Sequence, residues 1–195
     1  MSHKRSDDIA TLKGDWGTPW KLYRHLDKEF HFDADAAANC KNAKHPVFFS
    51  KSMDSLSFNW KDMIEFKPSP QKRHPSFWLN PDYAKGVIDK FVAKARIETR
   101  ESGSIVASLL PVSSDTAWWN DYVMADDGHV AVEIRFIKGR VKYIGYTKDG
   151  EEVTQGPTFP SCIVIFSQEH GRYWNQVNTP LMPIIGETIV LKELK

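Results

Sequence analysis

The chain has 195 residues, of which 41% are hydrophobic and 26% are charged, and this balance fits one domain or one domain with an appendage. The formal net charge is +1, so no overall positive field would attract nucleic acid, and such a contact would depend on local patches. Neither the two cysteines nor the seven histidines show the spacing of a metal site,. Residues 1–8 lack the apolar core of a signal peptide, and no apolar run approaches the roughly 20 residues that cross a bilayer. We therefore expect a cytoplasmic protein with neither a metal nor a membrane segment.

The N-terminal part of the chain predicts one helix and then one strand. Thr18 and Pro19 are typical of a helix start, with Thr18 as the cap and Pro19 in the first turn,. Residues 31–35 alternate between apolar and polar side chains, which indicates a strand that ends at Asp35,. The small residues from Ala36 onward indicate a loop directly after that strand.

The middle of the chain predicts a basic loop, a buried strand and a helix. Residues 60–76 contain several prolines and basic residues, among them Lys72 and Arg73, and are interpreted as a stiff loop with a positive patch. The apolar run over residues 77–79 predicts a short buried strand. Apolar side chains at helical spacing then predict a helix over about residues 84–101,.

Strands dominate the remaining predictions. Residues 104–110 form a continuous apolar run that Pro111 ends, which is typical of a strand buried on both faces,. The aromatic pair Trp118 and Trp119 follows on a short helix and is more typical of a core than of a binding platform. Residues 161–166 predict another buried strand, after a loop over residues 145–159.

A tight turn at residues 138–140 is predicted to join two strands, over residues 130–137 and 141–144, in a hairpin,. Lys138, Arg140 and Lys142 lie on this hairpin. Their charges suit either a solvated face or contacts with phosphate groups, which position DNA without reading its sequence.

Alternating strands and helices, followed by hairpin-like strands, predict an α/β fold. The sheet is expected to be mixed, with a parallel part, an antiparallel end and helices on both faces. Ligands of such sheets bind beyond the carboxyl ends of the strands. Asp35, Asn80 and Pro111 all stand at predicted carboxyl ends, so we expect them to meet at one edge.

The segment Asn80-Pro81-Asp82-Tyr83 offers an amide, a rigid imide carbonyl and an aromatic ring within four residues. Asn80 Oδ1 and the Pro81 carbonyl oxygen can each accept one hydrogen of an exocyclic amino group, and Tyr83 can stack on the ring that carries it. Two acceptors on one amino group direct the nitrogen lone pair toward an electrophile. A plainer interpretation is a strand that ends in an ordinary Asn-Pro turn.

The order of the motifs resembles that of the phage-type DNA N6-adenine methyltransferases, a compact branch of the Dam-like enzymes. The resemblance covers about residues 13–167 and depends on all motifs together, since no single one is specific. The motifs are Asp15-Trp16-Gly17-Thr18-Pro19, Phe32-Asp33-Ala34-Asp35-Ala36-Ala37-Ala38-Asn39, Asp54-Ser55-Leu56, Trp60, Trp78-Leu79-Asn80-Pro81-Asp82-Tyr83, Leu109-Leu110-Pro111, Trp118-Trp119, Arg135-Phe136-Ile137-Lys138-Gly139-Arg140 and Phe159-Pro160-Ser161.

The resemblance implies a Rossmann-like fold that depends on S-adenosylmethionine, with a single methyltransferase domain over residues 1–167 and an extension over residues 168–195. It implies methylation of adenine N6 in duplex DNA after base flipping, by an enzyme of restriction–modification biology in the cytoplasm of a bacteriophage host. The catalytic residues would be Asn80, Pro81, Asp82 and Tyr83. The DNA-binding residues would come from the two basic patches, Lys72 and Arg73 in one and Lys138, Arg140 and Lys142 in the other.

The cofactor pocket implied by the resemblance draws on three motifs. Trp16 would place its ring against the cationic methionine part, Asp35 would accept from the methionine ammonium, and Asp54 would accept from the adenine amino group or the ribose. Each residue also suits a purely structural role: a packing anchor for Trp16, a helix cap for Asp35 and a surface turn for Asp54. The complete set is Trp16, Thr18, Pro19, Asp35, Ala36, Asp54 and Asn80.

One position departs from the family pattern, because Asp82 stands where a second consecutive proline is usual. Asp82 restores a backbone N–H and brings a carboxylate near the amino group. This departure keeps a second interpretation open, namely a catalytically silent methyltransferase-like DNA-binding protein. The same motifs also fit an N4-cytosine methyltransferase and an enzyme that acts on RNA or on single strands.

Overall fold

The computed structural model describes residues 15–72 and 74–168, and the backbone of residues 188–189. Two α-helices and eight β-strands carry the fold. The helices are α1 (Trp20–Phe30) and α2 (Ile88–Ser102). The strands are β1 (Ala34–Asp35), β2 (Ser76–Leu79), β3 (Ile105–Pro111), β4 (Ala131–Phe136), β5 (Tyr143–Tyr146), β6 (Glu152–Gln155), β7 (Ser161–Ser167) and β8 (Thr188–Ile189).

Six of these strands form one mixed sheet in the order β1-β2-β3-β7-β4-β8. The first three run parallel, with Leu79 of β2 beside Ser108 of β3. β7 is antiparallel to both β3 and β4, and β8 is antiparallel to β4. The carboxyl ends of β2, β3 and β4 therefore lie at one edge of the sheet, as expected for the site.

Each face of the sheet is covered by one helix, because the strand side chains alternate between two cores. Trp78, Leu109 and Ile163 point to the face where Leu22, Leu26 and Phe30 of α1 pack. Phe77, Leu110 and Val164 point to the opposite face, where Ile88, Val92 and Ala95 of α2 pack. The predicted α/β class, with a mixed sheet and helices on both faces, is confirmed and is compatible with a Rossmann-like methyltransferase fold.

A buried ion pair fixes α1 to the sheet. The Arg135 guanidinium on β4 is 5% exposed and donates to both carboxylate oxygens of Glu29, at 2.5 and 2.6 Å, and to Glu133 at 2.6 Å. Such bidentate pairing sets orientation as well as contact. Arg135, which belongs to the basic motif of residues 135–140, is therefore committed inside the protein.

The predicted hairpin between residues 130–137 and 141–144 is wrong. β4 pairs with β7 and β8, whereas β5 pairs with β6 in a separate two-stranded ribbon. β6 falls within residues 145–159, for which the sequence predicts a loop. On its other side, β5 pairs with Gly17. The main chain of Ile144 exchanges two hydrogen bonds with this glycine, at 2.7 and 2.8 Å.

The predicted start of α1 is also wrong in detail. Pro19, not Thr18, occupies the N-cap position, and no side chain caps the helix. The hydroxyl of Thr18 is buried and has no hydrogen-bond partner among the described residues. Within the described part of the chain, no helix is both long and apolar enough to cross a membrane.

Candidate active site

A cavity of about 370 Å³ opens at the carboxyl end of β2, directly after Leu79. All four residues of the segment 80–83 contribute to its wall, and Trp16 lies on the same wall. The full lining is Trp16, Asn80, Pro81, Asp82, Tyr83, Ala84, Tyr143, Gln155, Pro157 and Phe159. A volume of this size accommodates a small ligand such as one heterocyclic base with part of its neighbour.

The amide of Asn80 is held at both ends. Its Nδ2 donates to the Trp16 carbonyl oxygen at 3.3 Å, and its Oδ1 accepts from the Tyr83 hydroxyl at 2.9 Å. The Trp16 carbonyl can only accept, so it fixes which end of the amide faces it. Oδ1 keeps a second lone pair, and Asn80 thus presents an acceptor at the cavity wall.

The hydroxyl of Tyr83 is the centre of a small polar network. It also lies 2.8 Å from the Leu109 carbonyl oxygen and 3.0 Å from the hydroxyl of Tyr143. Burial, and then the neighbouring Tyr143, raise the pKa of Tyr83 well above its usual range. The phenol therefore stays protonated at neutral pH and acts as a donor, not as a base.

The network offers more acceptors than Tyr83 has protons. Asn80 Oδ1 and the Leu109 carbonyl oxygen can only accept, and the single proton of Tyr83 serves one contact at a time,. In the contact between Tyr83 and Tyr143, either hydroxyl can be the donor.

Pro81 and Asp82 complete the turn after β2. Pro81 is buried, and no described residue donates to its carbonyl oxygen. The Asp82 carboxylate accepts from the Ala84 N–H at 3.0 Å, so its side chain stabilises the turn that leads into α2. The turn leaves the Pro81 carbonyl as an acceptor without a partner among the described residues.

Five residues of the cavity wall were missed by the sequence analysis. Ala84 directly follows Tyr83, Tyr143 lies on β5, Gln155 on β6, and Pro157 and Phe159 on the segment between β6 and β7. The ring of Tyr83 contacts both Tyr143 and Phe159 edge to face, with centroids 6.2 and 5.8 Å apart. The one signal for them in the sequence is the Phe159-Pro160-Ser161 motif, which by itself predicts no role.

The segment that begins at Asp15 links three parts of the site. The Asp15 carboxylate accepts from Asn39 at 3.1 Å, and its carbonyl oxygen accepts from Asn42 at 3.1 Å. The next residue, Trp16, bonds Asn80, and Gly17 pairs with Ile144 of β5. Trp16 and Asn80, which were both proposed for the cofactor pocket, are thus in direct contact.

Asp35 lies at the carboxyl end of β1 but is not among the residues that line the cavity. Its carboxylate is buried and accepts from the backbone N–H groups of Lys44, at 3.0 Å, and Ala37, at 3.4 Å. Burial raises the pKa of Asp35 to about 6, although these two hydrogen bonds and the Lys44 charge oppose the shift. A carboxylate has about four acceptor positions, so two remain for a ligand that carries an ammonium group.

The other residues proposed for a cofactor lie around this strand edge. Ala36 is buried, and its N–H donates to the Trp78 carbonyl at 2.8 Å. Asp54 is exposed, ends a short 3-10 helix and adopts a left-handed backbone conformation with φ 51°. The extended chain at Phe48 runs parallel to Asp35 and leads toward Asp54. Asp54 follows this parallel segment in the chain and therefore comes after the carboxyl end of β1.

The two predicted basic patches lie at opposite edges of the sheet. Lys138, Arg140 and Lys142 are exposed and directly follow the carboxyl end of β4, before the cavity residue Tyr143. Lys72 precedes the amino end of β2 instead, where it pairs with Asp33 at 2.6 Å and donates to the His31 carbonyl. Arg73 lies outside the described residues.

The remaining predictions concern the aromatic pair and metals. Trp119 is 3% exposed in the core and Trp118 packs partly buried beside it, so the pair belongs to the core as expected. They flank the start of a π-helical turn, Trp119–Val123. Among the described residues, no group of three or more His, Cys, Asp or Glu side chains could hold a metal ion.

Comparison with protein-family models identifies a family for this chain. The family model described as DNA N-6-adenine-methyltransferase (Dam) matches residues 5–187, which is nearly the whole chain. A search of the curated proteins found none that matches.

Proposed function

Because the chain belongs to the DNA N-6-adenine-methyltransferase (Dam) family, we propose that it transfers a methyl group from S-adenosylmethionine to the exocyclic N6 of an adenine in DNA. The adenine is rotated out of the duplex to reach the site, at a cost of a few kcal/mol. The observation that carries this proposal is that Asn80 and Pro81, which between them offer two acceptor oxygens, line one cavity together with Tyr83.

The two acceptors suit a primary amino group, which has two hydrogens to donate. Asn80 Oδ1 takes one hydrogen beside the bond from Tyr83, and the Pro81 carbonyl oxygen takes the other. The rings of Tyr83 and Phe159 line the same cavity and offer faces and edges on which an extruded base packs,. Such directed hydrogen bonds and positioning account for most of the catalysis that we expect here.

The cofactor supplies, when bound, an electrophilic methyl group on a sulfonium. The residues present fit such a ligand: the Trp16 ring lines the cavity and suits a cation, and Asp35 has acceptor capacity for an ammonium,. The buried Thr18 hydroxyl, which has no partner among the described residues, supports a polar ligand next to this segment. Asn80 lies between the two subsites, since it contacts both Trp16 and Tyr83.

The test is incubation with methyl-labelled S-adenosylmethionine and unmodified duplex DNA, followed by digestion to nucleosides and mass analysis. We expect label in N6-methyl-2′-deoxyadenosine from the native chain and none above background from Asn80→Ala. Label in N4-methyl-2′-deoxycytidine would show that the base is cytosine, and stronger transfer to single strands or RNA in competition would show that the substrate is not duplex DNA. No transfer to any nucleic acid would overturn the proposal.

A silent DNA-binding protein is the second candidate, and Asp82 is the observation that favours it. Its carboxylate is half-buried on the cavity wall, and its bond to Ala84 shapes the turn that carries the Pro81 carbonyl. A displacement of a reacting group by about 1 Å costs around a hundredfold in rate. Calorimetry with S-adenosylmethionine separates the candidates, because a silent protein has no need to retain the cofactor.

A further inference from the structure

Lys44 is a buried lysine without an anionic partner among the described residues. Its side chain is 7% exposed, yet it takes part in none of the ion pairs there, and the contact of its ammonium is with the ring of Trp20, 4.4 Å from Nζ. A buried ammonium that lacks a close counter-charge is costly. Such a cation is retained where an anion is bound or where it covers an aromatic ring.

The surroundings of Lys44 are those of a ligand subsite. Its backbone N–H donates to the Asp35 carboxylate at 3.0 Å, so the cation and the anion belong to one short segment. Burial lowers the pKa of Lys44, and the charges of Asp35 and Glu152 oppose this shift from a distance at which no ion pair forms. The site therefore combines one buried carboxylate and one buried ammonium that are near each other without being paired.

Gly17 lets the main chain of the N-terminal segment approach the Lys44 ammonium closely. A Cβ on Gly17 would lie 3.2 Å from Lys44 Nζ and 3.4 Å from Asn42 Cβ, so a larger residue would press on the lysine. The preceding residue, Trp16, bonds Asn80 at the cavity wall. The Cα atoms of Trp16 and Gly17 are about 3.8 Å apart, as for any consecutive residues. Lys44, which is next to Gly17, therefore also lies near Trp16, the residue proposed to contact the methyl donor.

We propose that Lys44 binds the carboxylate of the amino-acid part of S-adenosylmethionine while Asp35 accepts from its ammonium. This inference rests on the proposed function and assigns a residue that the sequence motifs did not include. A zwitterionic head group needs one acceptor for its ammonium and one donor for its carboxylate. The pair Asp35 and Lys44 offers both, from a segment that the Asp15–Gly17 strap holds in place through Asn39 and Asn42.

The experiment is calorimetric binding of three ligands to the full chain and to Lys44→Met. The ligands are S-adenosylmethionine, its decarboxylated analogue, which lacks the carboxylate but keeps the ammonium and the sulfonium, and 5′-methylthioadenosine, which lacks all three charges. Methionine preserves the length of the side chain and removes the charge. Lys41→Met, a change at an exposed lysine of the same loop, is the matched control.

We expect Lys44→Met to weaken S-adenosylmethionine binding by about tenfold or more, the usual effect of losing a hydrogen bond to a charged group. Binding of the decarboxylated analogue and of 5′-methylthioadenosine should change by less than about threefold, which also shows that the variant is folded. An equal loss for all three ligands would mean that Lys44 only packs over Trp20, and would overturn the assignment. Failure of the native chain to bind any of the ligands would overturn the proposed function and this assignment with it.

Discussion

In the proposed function, Asn80 is the residue on which the chemistry depends, because it would join the two halves of the site. Its Nδ2 donates to the carbonyl of Trp16, proposed for the cofactor, and its Oδ1 accepts from the hydroxyl of Tyr83, proposed for the base. A side chain held by two partners loses little freedom when the substrate binds. The acceptor is thus already oriented before the reaction, which is how directed hydrogen bonds contribute most to catalysis.

Replacement of Asn80 tests this role. We expect Asn80→Ala to lower turnover by about a hundredfold or more, as is usual when a catalytic hydrogen-bonding partner is removed. Asn80→Asp keeps an acceptor but sets an oxygen against the Trp16 carbonyl, so it should lose less turnover and more cofactor affinity. Single-turnover kinetics with saturating DNA measure the first effect and calorimetry the second. Near-normal turnover of the alanine variant would show that Asn80 only ends the strand.

Asp82 is the residue where the chain departs from the family pattern, and two variants separate its possible roles. Asp82→Pro removes the carboxylate and restores a stiff turn, and no hydrogen bond of the Asp82 N–H is lost among the described residues. We expect it to preserve or raise turnover. Asp82→Asn keeps the bond to the Ala84 N–H and removes only the charge. Loss of activity in both variants, measured by methyl transfer, would give the carboxylate a chemical role.

If Asp35 accepts from the cofactor ammonium as proposed, its raised pKa predicts that cofactor binding depends on pH. The carboxylate attracts an ammonium only when ionised, and its pKa in the free protein is about 6. We therefore expect the affinity for S-adenosylmethionine to be level near pH 7 and to fall below pH 6, by about tenfold at pH 5. Asp35→Asn should bind more weakly at pH 7 and show no such fall. Calorimetry in buffers of equal ionic strength checks both, and a flat profile for the native chain would exclude a contact with Asp35.

At the scale of elements, the β5–β6 ribbon and the segment after it close one side of the site. Gly17 joins β5 by two main-chain hydrogen bonds, and the hydroxyl of Tyr143 on β5 is hydrogen-bonded to that of Tyr83. The ribbon thereby connects the segment that carries Trp16 with the segment that carries Asn80. Because the ribbon is separate from the main sheet, it can cross over the carboxyl ends of the strands. A strand that paired with β4 would instead lie beside β4 within the sheet.

Tyr143→Phe tests whether the ribbon positions the acceptor. The change removes the hydrogen bond between the two hydroxyls and leaves the aromatic wall intact, so we expect a several-fold loss in kcat and a destabilisation of about 1 kcal/mol,. KM should change little, because Tyr143 holds Tyr83 and not the phosphates. Tyr122→Phe is the control, since the Tyr122 hydroxyl has no hydrogen-bond partner among the described residues. An unchanged kcat with lowered stability would reduce Tyr143 to a structural role.

Local patterns predict the central strands and helices well and the ribbon poorly, for a physical reason. The buried runs at residues 77–79, 104–110 and 161–166 carry their own signal, because both faces of these strands are covered. The partner of β5 depends instead on a polar, mostly exposed strand, Glu152–Gln155, whose side chains carry no burial pattern. The sequence signals show that Tyr143 is on a strand but not which strand pairs with it.

The same limit applies to the site residues. Asn80, Pro81 and Tyr83 follow a buried strand and are recognisable from the sequence by their chemistry. Lys44 carries no such signal, because its burial results from the strap at residues 15–17 folding over its loop. Contacts between segments far apart in the chain appear only in three dimensions.

At the scale of the whole molecule, the direction of the strands divides the charged surface into two edges. The strand ends that carry Asn80 and Pro111 share an edge with the exposed cations after β4, while Lys72 lies near the amino end of β2. The phosphates that flank a base bound in the cavity would lie at the edge that carries Asn80, Pro111 and the cations after β4. With a net charge of +1, binding to DNA depends on where the cations lie and not on how many there are.

Salt-dependent binding of a short duplex measures which edge carries the DNA. We expect the triple replacement of Lys138, Arg140 and Lys142 by alanine to weaken binding and to reduce the slope of log affinity against log salt by up to about 3, because each phosphate contact contributes about 0.9. Lys72→Ala is the matched control. It should leave affinity and slope unchanged and lower thermal stability instead, since it breaks the pair with Asp33 and removes one of the two hydrogen bonds to the His31 carbonyl. A larger loss of DNA affinity in Lys72→Ala than in the triple variant would indicate that DNA binds at the opposite edge of the sheet. From that edge no base could reach the cavity that Asn80 lines, so this result would contradict the proposed site.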